Sequence, residues 1–186
     1  MSSKSSRTGV HVIETGRLII RRFKVLDYAD LHEYLSDPSI YLYEPGQPIN
    51  LQQARELAAE RSRGDAFRAV ILKSENRLIG HLVLEPVEPH ELQTWELGYI
   101  FNRRYHGHGY ATEAATALVA QALADPSIHR IRARCNPENV ASWKLLERIG
   151  FTREGYFRKC GFFRRDGDGR PLWFDAYEYA RLQEDT

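Results

Sequence analysis

A glycine-containing loop runs directly into an alanine-rich segment, and this junction constrains the fold more than any other feature of the chain. Residues 106–109 read His-Gly-His-Gly, and residues 110–124 place small and apolar side chains on one helical stripe. The residues before the loop, 93–101, are rich in aromatic and β-branched side chains, as is typical of a strand. We therefore predict a strand, a tight glycine loop and a helix in close succession.

Such a loop favours anion binding. At the start of a helix, free backbone N–H groups lie at the positive end of the helix dipole, where phosphates bind. Gly107 and Gly109 leave the backbone accessible, because a side chain there would hold a pyrophosphate away from it. A tight turn with incidental glycines is the structural alternative.

The remaining patterns predict one domain of alternating strands and helices. A length of 186 residues suits a single hydrophobic core. We expect a flexible tail over residues 1–15, which are rich in Ser, Lys and Thr, and one domain over residues 16–182. The order of elements indicates a mixed α/β sheet with helices on both faces. Helices are expected after Asp27, after Asn50 (with Gln53 in a capping box), at residue 110 and at Asn139, and strands at residues 17–23, 67–73, 78–85, 93–101, 128–135, 151–163 and 171–180.

Composition and charge exclude several classes of protein. The chain has 26 Lys and Arg against 25 Asp and Glu, so its charge balance does not favour nucleic-acid binding. It has no apolar run of the roughly 18–20 residues that span a membrane, and no signal-like apolar core near its start. Cys135 and Cys160 have no metal-ligand spacing, and the histidines form no zinc pattern. We therefore expect a cytoplasmic protein with no metal, nucleic-acid or membrane partner.

Three kinds of phosphate-binding loop compete for the glycine motif. A nucleotide-binding P-loop ends in Gly-Lys-Ser/Thr, which is absent here. A dinucleotide-binding fingerprint needs a third glycine, but Thr112 holds that position, and the loop lies in mid-chain rather than after the first strand. The third pattern, Gln/Arg-x-x-Gly-x-Gly/Ala, binds acyl-CoA in the GNAT family of acyltransferases, and residues 106–111 resemble it.

A second motif lies downstream in residues 136–151, Asn-Pro-Glu-Asn-Val-Ala-Ser-Trp-Lys-Leu-Leu-Glu-Arg-Ile-Gly-Phe. This segment resembles the second GNAT signature, which is Asn-x-x-Ser, an apolar helix face and then Glu-Lys/Arg-x-Gly-Phe. Because both motifs occur in the family's order and separation, the chain is similar to GNAT enzymes over about residues 16–182. Residues 96–99, 110–114 and 175–179 resemble the RimJ/RimL-type branch, whose members acetylate protein N-termini or small amines.

The resemblance implies a central mixed, mostly antiparallel sheet with a V-shaped split. It also implies acetyl-CoA as co-substrate and a primary amine as acceptor, either a protein N-terminus or a small molecule, in a monomer or homodimer. A backbone N–H in residues 99–101 is expected to bind the thioester oxygen as it gains charge. The residues assigned to the coenzyme by the resemblance are Tyr99, Ile100, Phe101, His106, Gly107, His108, Gly109, Tyr110, Ala111, Thr112, Asn139 and Lys144.

His106 departs from the family pattern, which has Gln or Arg at this position. A neutral imidazole can donate one hydrogen bond to phosphate, but it carries no fixed charge. Arg103 and Arg104 are candidates to compensate for that loss.

Two residues are candidates for the chemistry of acetyl transfer. Glu96 is the candidate base for the amine's proton, and its alternative is a solvent-facing glutamate on a half-buried strand. Ser142 is the candidate hydrogen-bond donor to the coenzyme sulfur, and the alternative role for Ser142 is helix capping. Asn139, nearby, is expected either to bind the pantetheine arm or to act as a plain N-cap. Many relatives carry a tyrosine for the donor role where Leu146 stands here, which adds weight to Ser142. Because Cys135 is expected to be packed in the core, we expect direct attack in a ternary complex.

Two functions from different classes fit these motifs. An acetyltransferase needs the loop at 106–111 together with Glu96 and Ser142, whereas a catalytically silent acyl-CoA-binding module needs the loop alone. A nucleotide-dependent enzyme is a third interpretation of the loop. The acceptor is expected to bind among the loops at 37–50, 86–94 and 160–172, where side-chain identity sets specificity and folding pattern says little.

Overall fold

A computed structural model describes residues 12–185 and organises them around one eight-stranded sheet. Residues 1–11 of the predicted tail lie outside the described residues. Among the described residues, Ile13–Glu14 forms a short strand paired with the next one. Regular structure therefore begins before residue 16, and the predicted tail over residues 1–15 stays a prediction for residues 1–11.

The strands and helices follow the predicted order, with ends that differ from the predicted ones by a few residues. The strands are β1 (Ile13–Glu14), β2 (Leu18–Arg22), β3 (Phe67–Leu72), β4 (Arg77–Pro86), β5 (Thr94–Phe101), β6 (Arg130–Cys135), β7 (Thr152–Arg165) and β8 (Pro171–Leu182). The helices are α1 (Tyr28–Leu35), α2 (Leu51–Arg61), α3 (Tyr110–Leu123) and α4 (Val140–Arg148). Short 3-10 turns include Val25–Asp27, Pro38–Leu42 and Arg103–Tyr105.

The sheet is mixed and mostly antiparallel, and it splits at its one parallel pair. The strand order is β1-β2-β3-β4-β5-β6-β8-β7, and β5 with β6 is the parallel pair among the described strands. These two strands are paired from Thr94↔Arg130 to Glu96↔Arg132 and then separate. Beyond that point β5 stays with β4, while β6 stays with β8. The V-shaped split implied by the resemblance is confirmed.

Helices cover both faces of the sheet. α3 and α4 pack on one face through small and apolar side chains such as Ala115, Leu118 and Leu146, all of them buried. α1 and α2 pack on the other face, around Leu31 and Ala58. The alanine stripe predicted for α3 lets that helix lie close to the strands, and burial of a side chain such as Leu118 contributes about 2 kcal/mol.

Two predicted helix caps have different outcomes. The capping box of α2 is confirmed, because the Asn50 side chain accepts from the Gln53 N–H at 2.9 Å and the Gln53 side chain accepts from the Asn50 N–H at 2.8 Å. Asp27 precedes α1 but does not cap it with its side chain. Its carboxylate accepts from the Arg21 guanidinium and from the Lys24 N–H instead. Asp27 therefore ties the turn before α1 to β2.

Within residues 12–185, no helix has both the length and the apolar character needed to cross a membrane.

Candidate active site

A cavity of about 860 Å³ lies beside the split between β5 and β6. Four parts of the chain form its wall: the turn at residues 39–44, the end of β5, the glycine loop with the first turn of α3, and α4. The predicted coenzyme residues on this wall are Tyr99, Ile100, Phe101, His106, Gly107, Gly109, Tyr110, Ala111, Thr112, Asn139 and Lys144, and the candidate catalytic residue Ser142 joins them. The two sequence motifs therefore meet at one site.

The glycine loop has a backbone that favours glycine. Gly107 has a φ of +81° and Gly109 a φ of +78°, both in the left-handed region. A Cβ on Gly107 would meet no atom within 4 Å, and one on Gly109 would meet the Arg17 guanidinium at 3.6 Å. The need for glycine therefore comes first from the backbone conformation rather than from a lack of space.

The start of α3 offers free hydrogen-bond donors to the cavity. Gly109 precedes the helix and supplies no side-chain cap, and the Glu113 N–H makes the first intrahelical bond, to the Gly109 carbonyl at 3.0 Å. Among residues 12–185, no group accepts from the N–H groups of Tyr110, Ala111 and Thr112. These three donors stand at the positive end of a helix of 14 residues, which is an arrangement that binds phosphate.

Cationic side chains surround the same end of the cavity. Arg103, Lys144 and Arg148 all line it, and none of them forms an ion pair within residues 12–185. Arg148 donates to the Thr112 hydroxyl at 3.0 Å, which places its guanidinium beside the first turn of α3. Together with the free N–H groups, these cations match the negative charge of a pyrophosphate and a further phosphate.

Arg17 braces the loop from outside, a contact that sequence reasoning missed. Its guanidinium donates to the His108 carbonyl at 2.9 Å and to the Glu113 carboxylate at 2.6 Å, and it stacks over the Tyr110 ring at 4.5 Å. Burial alone would raise the pKa of Glu113, but hydrogen bonds from Thr15 and Arg17 lower it overall, so this carboxylate is held in its charged form. Arg17 and Glu113 are 96 positions apart, and no local pattern connects them.

The two loop histidines have structural roles that differ from the prediction. His106 Nε2 lies 3.0 Å from the Phe101 carbonyl and donates to it, because a carbonyl oxygen can only accept. In the neutral ring this leaves Nδ1 as an acceptor, which cannot donate to phosphate. His108 Nδ1 donates to the His106 carbonyl at 2.9 Å, and its ring stacks on Tyr110 outside the cavity lining. The Nε2–H group of His106 thus fixes the loop to β5, while the residue stays part of the cavity lining.

Ser142 contacts Tyr99 at the centre of the cavity wall. The Tyr99 hydroxyl lies 2.8 Å from Ser142 Oγ and 3.1 Å from the Ser142 carbonyl oxygen. Burial raises the pKa of Tyr99 well above its ordinary value, so the phenol keeps its proton. The Ser142 hydroxyl faces Tyr99 and does not cap α4, which rules out the capping alternative for it.

Asn139 is the N-cap of α4, as its structural alternative stated. Its side-chain oxygen accepts from the Ser142 N–H at 3.2 Å. Asn139 also lines the cavity, and its amide NH₂ remains able to donate. The cap and the predicted coenzyme contact are thus compatible.

The backbone of β5 presents donors toward the split. The Asn102 N–H bonds to the Ile79 carbonyl at the end of β4. Because N–H groups alternate in direction along a regular strand, those of Tyr99 and Phe101 point away from β4, toward the gap left by β6. This orientation suits the predicted oxyanion and pantetheine contacts of residues 99–101.

Glu96 lies apart from this group. It is the last residue of β5 paired with β6, and its carboxylate accepts from Arg132 at 2.8 Å and 2.7 Å. It is not part of the cavity lining. Glu96 and Tyr99 are three positions apart, so their side chains point to opposite faces of the strand. The geometry gives no support to Glu96 as the base.

Glu44 is the carboxylate that sequence reasoning missed. It lines the cavity after the turn at Pro38–Leu42, and it forms no hydrogen bond or ion pair within residues 12–185. Burial raises the pKa of Glu44 from 4.5 to about 7. Glu44 shares the lining of the cavity with Tyr99 and Ser142. The one signal in the sequence is a lone acid among apolar neighbours, Tyr-Leu-Tyr-Glu-Pro, which we interpreted as a loop.

Cys135 borders the site more closely than expected. It is 9% exposed, as predicted for a packed residue, but its thiol also contacts the Ser142 side chain. Burial raises the pKa of Cys135 to about 11, so at neutral pH it is a thiol rather than a nucleophilic thiolate. Direct attack by the amine is therefore expected because the Cys135 thiol is protonated, and not because Cys135 lies far from the site. Among residues 12–185, no group of three or more His, Cys, Asp or Glu residues is placed to hold a metal.

Comparison with known proteins gives the class of this chain. The family model described as an acetyltransferase (GNAT) domain matches residues 17–152, and the chain belongs to the GNAT family of N-acetyltransferases. The chain is 36% identical over 175 residues to the uncharacterized N-acetyltransferase YnaD of Bacillus subtilis, covering 93% of this chain and 98% of that one. A solved GNAT-family acetyltransferase from Bacillus anthracis is 37% identical, covers 94% of this chain and 99% of its own, and superimposes with a TM-score of 0.84.

A relative with a named acceptor is more distant. The [ribosomal protein uS5]-alanine N-acetyltransferase of Escherichia coli is 29% identical over 155 residues, covering 77% of this chain and 79% of that enzyme. The resemblance to the GNAT family and the enzyme class that it implied are confirmed.

Proposed function

We propose that this protein transfers an acetyl group from acetyl-CoA to a primary amine, with direct attack of the amine in a ternary complex. The observation that carries the proposal is one continuous cavity, which joins a phosphate-binding helix start to the Tyr99–Ser142 hydroxyl pair. An acyl-CoA has phosphates at one end and a thioester at the other. The start of α3 would bind the phosphates, and the Tyr99–Ser142 hydroxyl pair would lie beside the thioester.

The residues present fit the coenzyme. The N–H groups of Tyr110, Ala111 and Thr112 would hold the pyrophosphate, and Arg103, Lys144 and Arg148 would balance its charge. The free edge of residues 99–101 and the Asn139 amide would bind the pantetheine arm. Bound there, acetyl-CoA supplies an activated thioester.

The proposed chemistry uses groups whose positions are defined. The Tyr99 N–H points into the split and is suited to bind the thioester oxygen as it gains negative charge, an effect that contributes about 10²–10³-fold elsewhere. When Tyr99 donates to Ser142 Oγ, the Ser142 proton is free to donate to the departing sulfur. A thiolate is a good leaving group near neutral pH because the pKa of a free thiol is about 8.5. One hydrogen bond from Ser142 is therefore sufficient to stabilise the departing sulfur.

The acceptor is proposed to be a protein N-terminal α-amine or a small-molecule amine. The uS5-alanine enzyme supports the first of these, because its named acceptor is a ribosomal protein's alanine. The turn at residues 39–44 would contact the acceptor, since it forms the part of the cavity wall that the coenzyme motifs do not supply.

The test is release of free thiol from acetyl-CoA in the presence of a panel of amines. The panel should include peptides with N-terminal Ala and Ser, polyamines and free amino acids, with propionyl-CoA and succinyl-CoA as alternative donors. We expect amine-dependent thiol release with acetyl-CoA for at least one class. Tight coenzyme binding without thiol release for any amine would contradict the proposal and favour the silent binding module.

A further inference from the structure

We propose that Glu44 is the general base that removes the proton from the acceptor's ammonium group, an assignment that rests on the proposed function. No sequence motif points to this residue. The inference comes from where the carboxylate lies, what holds it there and what does not contact it.

The first observation is position. Glu44 lines the same cavity as Tyr99 and Ser142, and it is carried by the turn at residues 39–44. A base for acetyl transfer must stand beside the thioester and on the acceptor side of it. Glu44 meets this requirement because it lies on the turn at residues 39–44, which lines the cavity but belongs to neither coenzyme-binding motif.

The second observation is the lack of a partner. Two carboxylates line the cavity, Glu44 and Glu113, and Glu113 is fully engaged by Thr15 and Arg17. Glu44 has no hydrogen bond or ion pair within residues 12–185, so its oxygens are free to accept a proton. Glu96, by contrast, is neutralised by Arg132 outside the cavity.

The third observation is that the turn carrying Glu44 is anchored on three sides. The Asp37 side chain accepts from the Ser39 N–H at 2.8 Å, and the Tyr41 hydroxyl donates to the Leu35 carbonyl at 2.9 Å. Arg164, from the β7–β8 hairpin, donates to the Leu42 carbonyl at 2.9 Å. These hydrogen bonds fix the backbone of the turn as far as Leu42, two residues before Glu44, and a general base needs such a defined position.

The electrostatic setting supports the role. Partial burial raises the pKa of Glu44 to about 7, which is the range in which a general base is most effective near neutral pH. Within residues 12–185 no cation contacts the carboxylate, so no ion pair there lowers its basicity. The charged and titratable groups around it are Tyr43 on its own turn, Tyr99 on β5, Cys135 on β6, Arg164 on β7, and the cavity-lining Arg103, His106, Lys144 and Arg148.

With Glu44 as the base, acetyl transfer conserves atoms and charge. Glu44 takes one proton from the ammonium group, and the nitrogen lone pair forms a bond to the thioester carbon. The C–S bond then breaks, and the second surplus N–H proton ends on the sulfur, giving an amide and the coenzyme thiol. Glu44 returns its proton to solvent, so the net reaction releases one proton.

The experiment compares Glu44→Gln with the wild type in kcat, KM, coenzyme Kd and pH profile. We expect kcat to fall about 10²–10⁴-fold while the coenzyme Kd remains close to wild type and thermal unfolding stays cooperative. The wild-type kcat/KM should rise with pH through about 7, following Glu44, whereas the variant should follow only the supply of free amine at higher pH. Glu44→Asp should restore part of kcat, and Glu60→Gln, exposed on α2 and outside the cavity lining, should match the wild type.

Two rivals are tested in the same assay, His106→Asn and Glu96→Gln, and each should keep the rise through pH 7. The assignment is overturned if Glu44→Gln keeps the kcat and the pH profile of the wild type. It is also overturned if the variant changes KM alone, because that would indicate that Glu44 only binds the ammonium group of the acceptor. It is also overturned if either rival variant loses the rise instead. Absence of thiol release by the wild type with every amine would be a different result, because it would overturn the proposed function itself.

Discussion

The hydroxyl groups of Tyr99 and Ser142 lie 2.8 Å apart and join β5 to α4 beside the split in the sheet. The two residues are 43 positions apart, one on each of the elements that wall the cavity. Leu146, at the position where many relatives carry a tyrosine, is buried in the core. A phenol reaches the site nevertheless, from the strand rather than from the helix.

This pair predicts a coupled loss of turnover. Ser142→Ala should lower kcat about 10-fold to 100-fold, because the sulfur loses its donor, while the coenzyme Kd changes little. Tyr99→Phe should lower kcat less, and the double variant should lose less than the product of the single losses, because the two hydroxyls act as a unit. Steady-state kinetics with calorimetric coenzyme titration measures both effects. Ser127→Ala, on an exposed turn, is the control, and independent losses in the double variant would contradict the coupling.

Gly109 tests the phosphate-binding loop. Gly109→Val should lower stability by about 1–2 kcal/mol, because a branched side chain is strained at positive φ, and should abolish the rise in Tm that acetyl-CoA gives the wild type. Gly64→Val is the matched control, since Gly64 is exposed, lacks a positive φ and has open space around its Cβ position. Normal coenzyme binding by a folded Gly109→Val protein would show that the loop is assigned wrongly.

Arg17 tests whether the loop needs its outer brace. Arg17→Ala should weaken acetyl-CoA binding about 3-fold to 10-fold, because the His108 carbonyl and the Glu113 carboxylate lose a charged donor that orients the loop. Arg22→Ala is the comparison, because Arg22, at the end of β2, forms an exposed ion pair with Asp65 and has no contact with the glycine loop within residues 12–185. Equal coenzyme affinity in both variants would mean that the brace has no effect on binding.

Glu44 also predicts a pH dependence of stability that needs no substrate. Its folded pKa of about 7 lies above its ordinary value of 4.5, so the folded state binds the proton more tightly than the unfolded state. The resulting stabilisation is fully present below pH 4.5 and is lost as the pH rises through 7. Relative to Glu44→Gln, the wild-type Tm should therefore fall by a few degrees between about pH 5 and pH 8. Thermal scans of both proteins test this, and parallel Tm curves would contradict the burial of the charge.

The parts of the site that follow from local sequence were predictable. Gly107, Gly109 and Asn139 were identified because turn glycines and helix caps have short-range signatures. The Arg17–Glu113 brace was not, because it joins residues 96 positions apart and depends on where β2 meets α3.

The proposed base is the part of the site that the sequence indicates least. Glu96 is the candidate base by its closeness in sequence to Tyr99. Two residues three positions apart on a strand, however, point to opposite faces. Glu44 was missed because its basicity arises from burial beside residues of β5 and β6, which no local pattern of the loop reveals. His106 is predicted to contact phosphate, but its Nε2–H donates a hydrogen bond to the nearby Phe101 carbonyl, which no local pattern reveals.

The central claim is direct acetyl transfer from acetyl-CoA to an amine in the cavity beside the split. Mass spectrometry of both the protein and the acceptor, after incubation with acetyl-CoA, tests it most directly. We predict an acetylated acceptor when the amine is present, and an unmodified protein when it is absent, because Cys135 remains a thiol. An acetylated Cys135 that passes its acetyl group to the amine, or an acceptor that is never acetylated, would contradict the account.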